Sequence, residues 1–345
     1  MPVQDRNHYQ ATLPALFERM DEIAAQCADR FPLFRLATAT QWTLSRRGSW
    51  LGGFWAGLWW LRATHSGRSD DHATAGDWSA RLQPLLFEPS INRSFVFWYG
   101  AAIGHQAFKQ DLAALRLASQ AALAISADFD PERGCWTLGP GMGAGENGTR
   151  TLNVDALAPT LALLHHHGGA QGRAQARQHL QTCLRHLATE QGAWRANAIM
   201  DGCDHRHQEP AGAWPRGQAW AMLGLAAAVR LYGETHGHSA LQACIYWTER
   251  WGDIHRAPAA EQAQQKDLSA QVISAVAMLE LFECMPDQHW LYRQAHRQIA
   301  SILGDSDITE TGQFIGHLYR IGPHEERRVE SACATFFLLK MLLSD

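Results

Sequence analysis

The seven cysteines show no sign of pairing. Cys27, Cys135, Cys183, Cys203, Cys244, Cys284 and Cys333 are odd in number, widely scattered, and nowhere spaced as Cys-x-x-Cys. That excludes a disulfide framework and a zinc ribbon, and it suits a reduced, cytoplasmic protein. No uninterrupted apolar run approaches the length of a membrane span. The first residues, Met1-Pro2-Val3-Gln4-Asp5-Arg6, carry charge where a signal peptide would carry its apolar core. A mild net charge of −4, with no basic stripe, argues against nucleic acid as a partner. β-Branched residues are few and strand-like alternation is scarce. No strict repeat is visible, which counts against a regular solenoid.

Apolar residues, at 46% of the chain, are ample for a sizeable core. Tryptophan (14) and histidine (18) are in excess, which directs attention to aromatic surfaces. Trp59 and Trp60 fall inside an apolar segment and read as core. Trp50, Trp136, Trp214 and Trp220 stand beside glycines or polar residues, where one ring face is expected to stay open. The run His165-His166-His167 precedes Gly168-Gly169 and reads as a helix C-terminus, where imidazolium complements the dipole.

Apolar residues recur at three- and four-residue spacing almost throughout. The pattern predicts helices near 9–28, 53–65, 76–87, 94–107, 109–126, 155–167, 172–189, 216–232, 237–251, 267–283, 288–304 and 329–343. About twelve helices make six hairpins, and a closed toroid of paired helices, an all-α (α/α)6 barrel, accounts for them as a single catalytic domain spanning 1–345. Such a toroid gathers its long loops at one end. The two longest, Phe129 to Asn153 and Ala193 to Ala213, are expected on one rim. The first contains a glycine-rich run, Gly139 to Gly145, without the Lys-Ser/Thr of a phosphate loop.

The second loop carries Asp201, Asp204, His205, His207 and Gln208, then runs into Ala213-Trp214-Pro215-Arg216-Gly217-Gln218-Ala219-Trp220. Pro215 suits a first helical position. Indole faces beside forked donors suit sugar rings and carboxylates, although such a segment is equally ordinary helix-start packing. Asn153-Val154-Asp155 puts a carboxylate ahead of an apolar helix. Alone it reads as an N-cap; at a barrel mouth, partly desolvated, the same group would keep a proton near neutral pH.

Four segments, in order, resemble the unsaturated glucuronyl hydrolases, glycoside hydrolase family 88. Trp50-Leu51-Gly52-Gly53-Phe54-Trp55-Ala56-Gly57-Leu58-Trp59-Trp60 is similar to the family's Trp-x-x-Gly-Phe-Trp-x-Gly-x-x-Trp. Asn153-Val154-Asp155 falls where the family has Ile-Asp. Trp214-Pro215-Arg216-Gly217-Gln218-Ala219-Trp220 is similar to Trp-Ala-Arg-Gly-Gln-Ala-Trp. Asp267-Leu268-Ser269-Ala270, then Met278-Leu279-Glu280-Leu281, resembles Asp-x-Ser-Ala…Leu-Leu-Glu-Leu.

The resemblance implies an (α/α)6 barrel acting on small acidic oligosaccharides from polysaccharide degradation, with a 4,5-unsaturated uronic acid at the non-reducing end. The double bond is hydrated, and the resulting hemiketal rearranges to release the neighbouring sugar. The paired-carboxylate distance rule of ordinary glycosidases does not apply. By this match Asp155 is the acid. Trp50, Trp136, Trp214 and Trp220 are walls or stacking faces, Arg216 and Gln218 hold polar groups, and His205 or His207 adds a contact. Arg216 has a second option, holding a loop carboxylate. A cluster such as Arg46, Arg47, Arg93 and Arg216 would offset the chain's negative charge. No metal or organic cofactor and no membrane partner is implied. Oligomeric state is not legible.

Two departures stand out. Where the family has His-Asp-x-Gly-Phe, this chain reads Ile91-Asn92-Arg93-Ser94-Phe95, so an amide replaces a second carboxylate beside Asp155. Cys333-Ala334-Thr335-Phe336-Phe337 stands in place of Gly-Asp-Tyr-Phe. Asn92 is compatible with an inactivated variant, with natural divergence to another partner for Asp155, or with a relative that only binds sugar. Ile91 favours divergence, since one introduced change would not also remove the histidine. A different uronide reaction, elimination or hydrolysis of a saturated glucuronide, stays open.

Overall fold

Two kinds of helix alternate along this chain, and their surfaces dictate where each sits. The computed structural model describes residues 3–201, 204–206, 209–253, 267–304, 308–322 and 325–344. In chain order the helices are α1 (Val3–Cys27), α2 (Gly52–Ser66), α3 (Ser69–Ala80), α4 (Arg93–Phe97), α5 (Ile103–Ala107), α6 (Leu112–Ala127) and the short α7 (Gly145–Gly148). Then come α8 (Leu157–His167), α9 (Gly169–Leu187), α10 (Pro215–Tyr232), α11 (Gly237–Trp251), α12 (Leu268–Cys284), α13 (His289–Gly304) and α14 (Ala332–Leu342). A π-helical turn, Trp98–Ala102, joins α4 to α5 as one rod.

The helices α2, α8, α10, α12, α14 and the α4–α5 rod are apolar or small on nearly every side. In α12 every residue from Leu268 to Leu279 is buried. A helix without a polar face must be enclosed. By contrast α9 buries a stripe, Gly172, Ala176, Leu180, Cys183 and Leu187, and leaves its other side wet. The enclosed helices accordingly form an inner ring. Each packs on the next, from α2 through the rod, α8, α10, α12 and α14, and α14 packs back on α2. Outside them lie α3 against α2, α6 against the rod, α9 against α8, α11 against α10, α13 against α12 and α1 against α14. This is the (α/α)6 barrel expected from the sequence.

The bore is filled with rings rather than left open. Phe54 stacks on Tyr99 at 4.7 Å between centroids, Phe95 meets Trp220 at 5.1 Å, and Trp220 meets Phe337 at 5.4 Å. Ring pairs of this kind contribute about 0.5–1.5 kcal/mol each beyond burial. Gly53 lets α2 touch the rod, since a Cβ there would lie 2.4 Å from the Val96 Cα.

Two features differ from expectation. The helix predicted over 76–87 lies at Ser69–Ala80, and Gln83–Phe87 forms a separate 3-10 turn. Pro84, near the start of that turn, lacks the N–H that a continuous α-helix would need. Short strands also frame the barrel mouth: β1 (Phe31–Leu36), β2 (Thr43–Ser45), β3 (Thr151–Asn153), β4 (Asn197–Asp201), β5 (Asp204–Arg206), β6 (His317–Gly322) and β7 (Glu325–Ser331). They make antiparallel sheets in the orders β2-β1-β7-β6 and β3-β4-β5. The second sheet joins the two long loops, with Asn153 opposite Asn197. Among the described residues, no helix is long and apolar enough to cross a membrane.

Candidate active site

Each inner helix is entered from the same end of the barrel, so the residues just ahead of them share one rim. Contacts link them in sequence. The Trp50 ring, ahead of α2, lies 5.9 Å from Phe95 of α4. The hydroxyls of Ser94 and Thr160, 2.8 Å apart, tie α4 to α8. Asp155, ahead of α8, feels the charge of Arg216 in the first turn of α10. Arg216 Nη1 donates to Asp267, ahead of α12. Leu318 N–H of β6 donates to the same carboxylate at 3.3 Å. Beside it, His317 Nδ1 is 2.7 Å from Oγ of Ser331, the N-cap of α14. The His317 ring faces Trp50 again at 6.3 Å. Helix N-termini present partial positive charge and unpaired amides, so this rim favours an anionic guest.

Asp155 is held by its backbone, and only part of its carboxyl is engaged, by Asn153. Its N–H donates to Asn153 Oδ1 at 2.9 Å, and Asn153 Nδ2 donates to Asn197 Oδ1 at 2.8 Å. The cap reading fails, because Ala156 occupies the N-cap of α8 and no side chain caps that helix. Asp155 Oδ1 is buried with no hydrogen-bond partner among the described residues. Burial pushes the carboxyl up to about 7, against the pull of Arg216 and the Asn153 hydrogen bond, while Glu209 pushes it further up. A carboxylic acid in that range gives up a proton at neutral pH with the right driving force.

Trp50 and Trp214 are half-buried, and each keeps some surface at the rim. The Trp50 indole donates to the Tyr319 hydroxyl, and the Arg216 guanidinium lies 4.8 Å from the Trp214 ring centre. Arg216 takes its second option. Besides Asp267 it reaches Ser269 Oγ at 3.3 Å and the Leu318 carbonyl at 3.0 Å, so it braces α10, α12 and β6. Burial and the Arg216 charge hold His317 well below the ordinary imidazole range, and its Nε2 has no partner among the described residues.

Several expected contacts are structural instead. Trp136 is 3% exposed; its indole donates to the Ile125 carbonyl at 2.7 Å and its ring packs on Phe129 and His179. Trp220, 2% exposed, belongs to the aromatic filling of the bore. Gln218 is wholly buried. It accepts from Trp194 N–H at 2.8 Å and donates to the carbonyls of Gly192 and Ala243. Two backbone groups of a loop and one of α11 would lose their partner without it. Gln218→Leu is therefore expected to cost about 1–3 kcal/mol in urea unfolding while KM stays unchanged. Arg93 is turned inward onto the Leu86 and Ser90 carbonyls and Asp128, and Arg47 pairs with Glu88 on the exposed surface. Arg46 is exposed beside Arg47, and of the expected basic cluster Arg216 is the member whose charge reaches Asp155. The side chains of His205 and His207 lie outside the described residues; of the two, only the backbone of His205 is placed, in β5. Asn92 sits at the N-cap of α4 with Oδ1 buried and unpartnered among the described residues. His165 to His167 do end α8, and among the described residues no cluster of three His, Cys, Asp or Glu is placed to hold a metal ion.

Sequence reasoning missed His317, Tyr319 and Glu209. His317 and Tyr319 are two apart on β6 and so share a face, a period-two signal too short to notice. Glu209 stands next to the noted Gln208, with only its charge to mark it.

No family model matches the chain. The unsaturated glucuronyl hydrolase of Bacillus sp. (strain GL1) is 26% identical over 283 residues, 73% of this chain and 72% of that protein. A solved structure of a variant of such an enzyme, an aspartate changed to asparagine, with dGlcA-Glc-Rha-Glc, superposes with a TM-score of 0.85 at 21% identity, covering 97% of this chain and 96% of the other. The unsaturated glucuronyl hydrolase of Streptococcus agalactiae gives a TM-score of 0.83 at 15% identity, over 98% and 91%. The chain is a glycoside hydrolase built on an (α/α)6 barrel. It is similar to the unsaturated glucuronyl hydrolases in fold and, more distantly, in sequence.

Proposed function

We propose that this protein hydrates the C4=C5 double bond of an unsaturated uronic acid at the non-reducing end of a small oligosaccharide, with Asp155 as the acid. The observation that carries this is the Asp155 carboxyl at the barrel mouth, held by its backbone, one oxygen unpartnered, and raised to about 7. Asp155 gives its proton to C4, and water adds at C5 while returning a proton to the carboxylate. The C5 hemiketal then opens to a ketone. C1 is left as a hemiacetal, whose collapse to an aldehyde releases the neighbouring sugar as an alcohol. The π bond is replaced by C4–H and C5–O bonds, the water's proton restores the acid, and the later steps are carbonyl exchanges. Trp50 and Trp214 wall the entering ring, and the helix N-termini draw its carboxylate. The chain is read as one catalytic domain. Its setting is read as cytoplasmic, supported by six described cysteines that are all free thiols.

Incubation with an unsaturated glucuronyl disaccharide is expected to abolish the ultraviolet absorbance of the conjugated double bond. The rate should fall as pH rises through about 7, because Asp155 then loses the proton it must donate. Unchanged absorbance, together with turnover of a saturated glucuronide, would overturn the assignment.

A further inference from the structure

We propose that Glu209 is a positioning residue that adds to burial in holding the proton on Asp155, a role an amide at Asn92 cannot fill; this rests on the hydration reading above. A single residue bridges the two groups. The Ala196 N–H donates to the Glu209 carboxylate, and the Ala196 carbonyl accepts from Val154 N–H at 3.0 Å, the peptide immediately before Asp155. Gly217 permits this approach, since a Cβ there would lie 3.0 Å from the Ala196 Cβ and 2.7 Å from the Trp214 ring. Glu209 thus enters the mouth from the loop that precedes Trp214 and Arg216, whereas Asn92 enters from α4.

Two carboxylates in one poorly hydrated site compete for a single proton, and each ionised group makes the other hold its proton more tightly. The electrostatics agree with the geometry: Glu209 raises Asp155, and burial raises Glu209 itself. The other groups facing the pair are Arg216, which favours ionised Asp155, Asn153, which hydrogen-bonds to it, and the Cys333 thiol of α14, which burial raises far above its ordinary value and so keeps neutral. Arg320 favours ionised Glu209, but its side chain is 71% exposed and its pull is screened by water. The buried Asp267 carboxylate is occupied by Arg216, Ser269 and Leu318. Neutral His317 adds no charge. Glu209 is therefore the carboxylate, among the described residues, whose charge presses on Asp155.

The test is carbon-13 NMR of the full chain labelled at aspartate Cγ, with Asp155→Asn assigning the resonance. In Glu209→Gln the Asp155 midpoint is expected to fall by about one pH unit, and the alkaline limb of kcat/KM should move down with it. Glu209→Asp, which restores the charge, should recover part of both. An Asp155 midpoint unmoved in Glu209→Gln, in a protein whose circular dichroism is native, would overturn the proposal. The titration is read without turnover. An inactive wild-type enzyme with a shifted Asp155 resonance would sink the hydration reading while still supporting the coupled pair.

Discussion

Asp155→Asn is expected to lower kcat by about 100- to 10,000-fold, the usual worth of a positioned general acid, and to make the protein more stable in mild alkali. The second half follows from linkage. Asp155 moves from an ordinary value of 3.8 to about 7 on folding, so the native state binds its proton more tightly than the unfolded chain. Between those values the native state holds more protons, and stability falls as pH rises through that window. Above it the full cost of a buried carboxylate remains. Asparagine keeps the shape without that cost. The variant should therefore exceed wild type by about 2–4 kcal/mol at pH 8 and match it near pH 4. Urea unfolding at the two pH values checks this, and equal stability at both would show that the carboxyl is not strained by burial.

Arg216→Met is expected to give the largest destabilisation of any rim substitution. The Asp267 side chain is 3% exposed and would be left as an unpaired buried charge, and the Leu318 carbonyl would lose its donor. Breaking such a pair costs about 3–5 kcal/mol, whereas removing both members often costs little. The double variant Arg216→Met, Asp267→Asn should therefore recover most of the unfolding free energy. Activity should not return with it. Arg216 is also the cation that pulls Asp155 down, so the surviving activity should keep its acid form to higher pH. An alkaline limb that stays in place would show that Arg216 acts only as a brace.

The toroid was legible because burial leaves its mark on every residue of an inner helix. Segments such as Leu268 to Leu279 have no polar side to show water, while Gly172 to Leu187 carries a single stripe, and the alternation of the two kinds spells out the rings. Asp155 and Arg216 were legible from their places ahead of such helices. The division of labour among their neighbours was not. Gln218 and Trp220 follow Arg216 on one helix, and helical geometry turns them into the wall and the bore, a rotation that the linear motif conceals. Trp136 follows Gly134, whose φ of +66° folds the loop inward. His317 and Tyr319 come from a strand of six residues, and Glu209 from a loop whose position depends on β3 and β4 pairing across 44 positions of chain. Those contacts exist only once the barrel has closed.

The ring-filled bore also limits what the enzyme can swallow. With Phe54, Phe95, Tyr99, Trp220 and Phe337 meeting across the axis, the mouth is a cup with a solid bottom and not a tunnel. A saccharide chain has no way to thread through it. On the hydration reading, only a terminal residue would descend to Asp155, and whatever follows it would project back into solvent. Such a floor would make the enzyme trim from one end, one residue per encounter and with little regard for the length of the remaining chain.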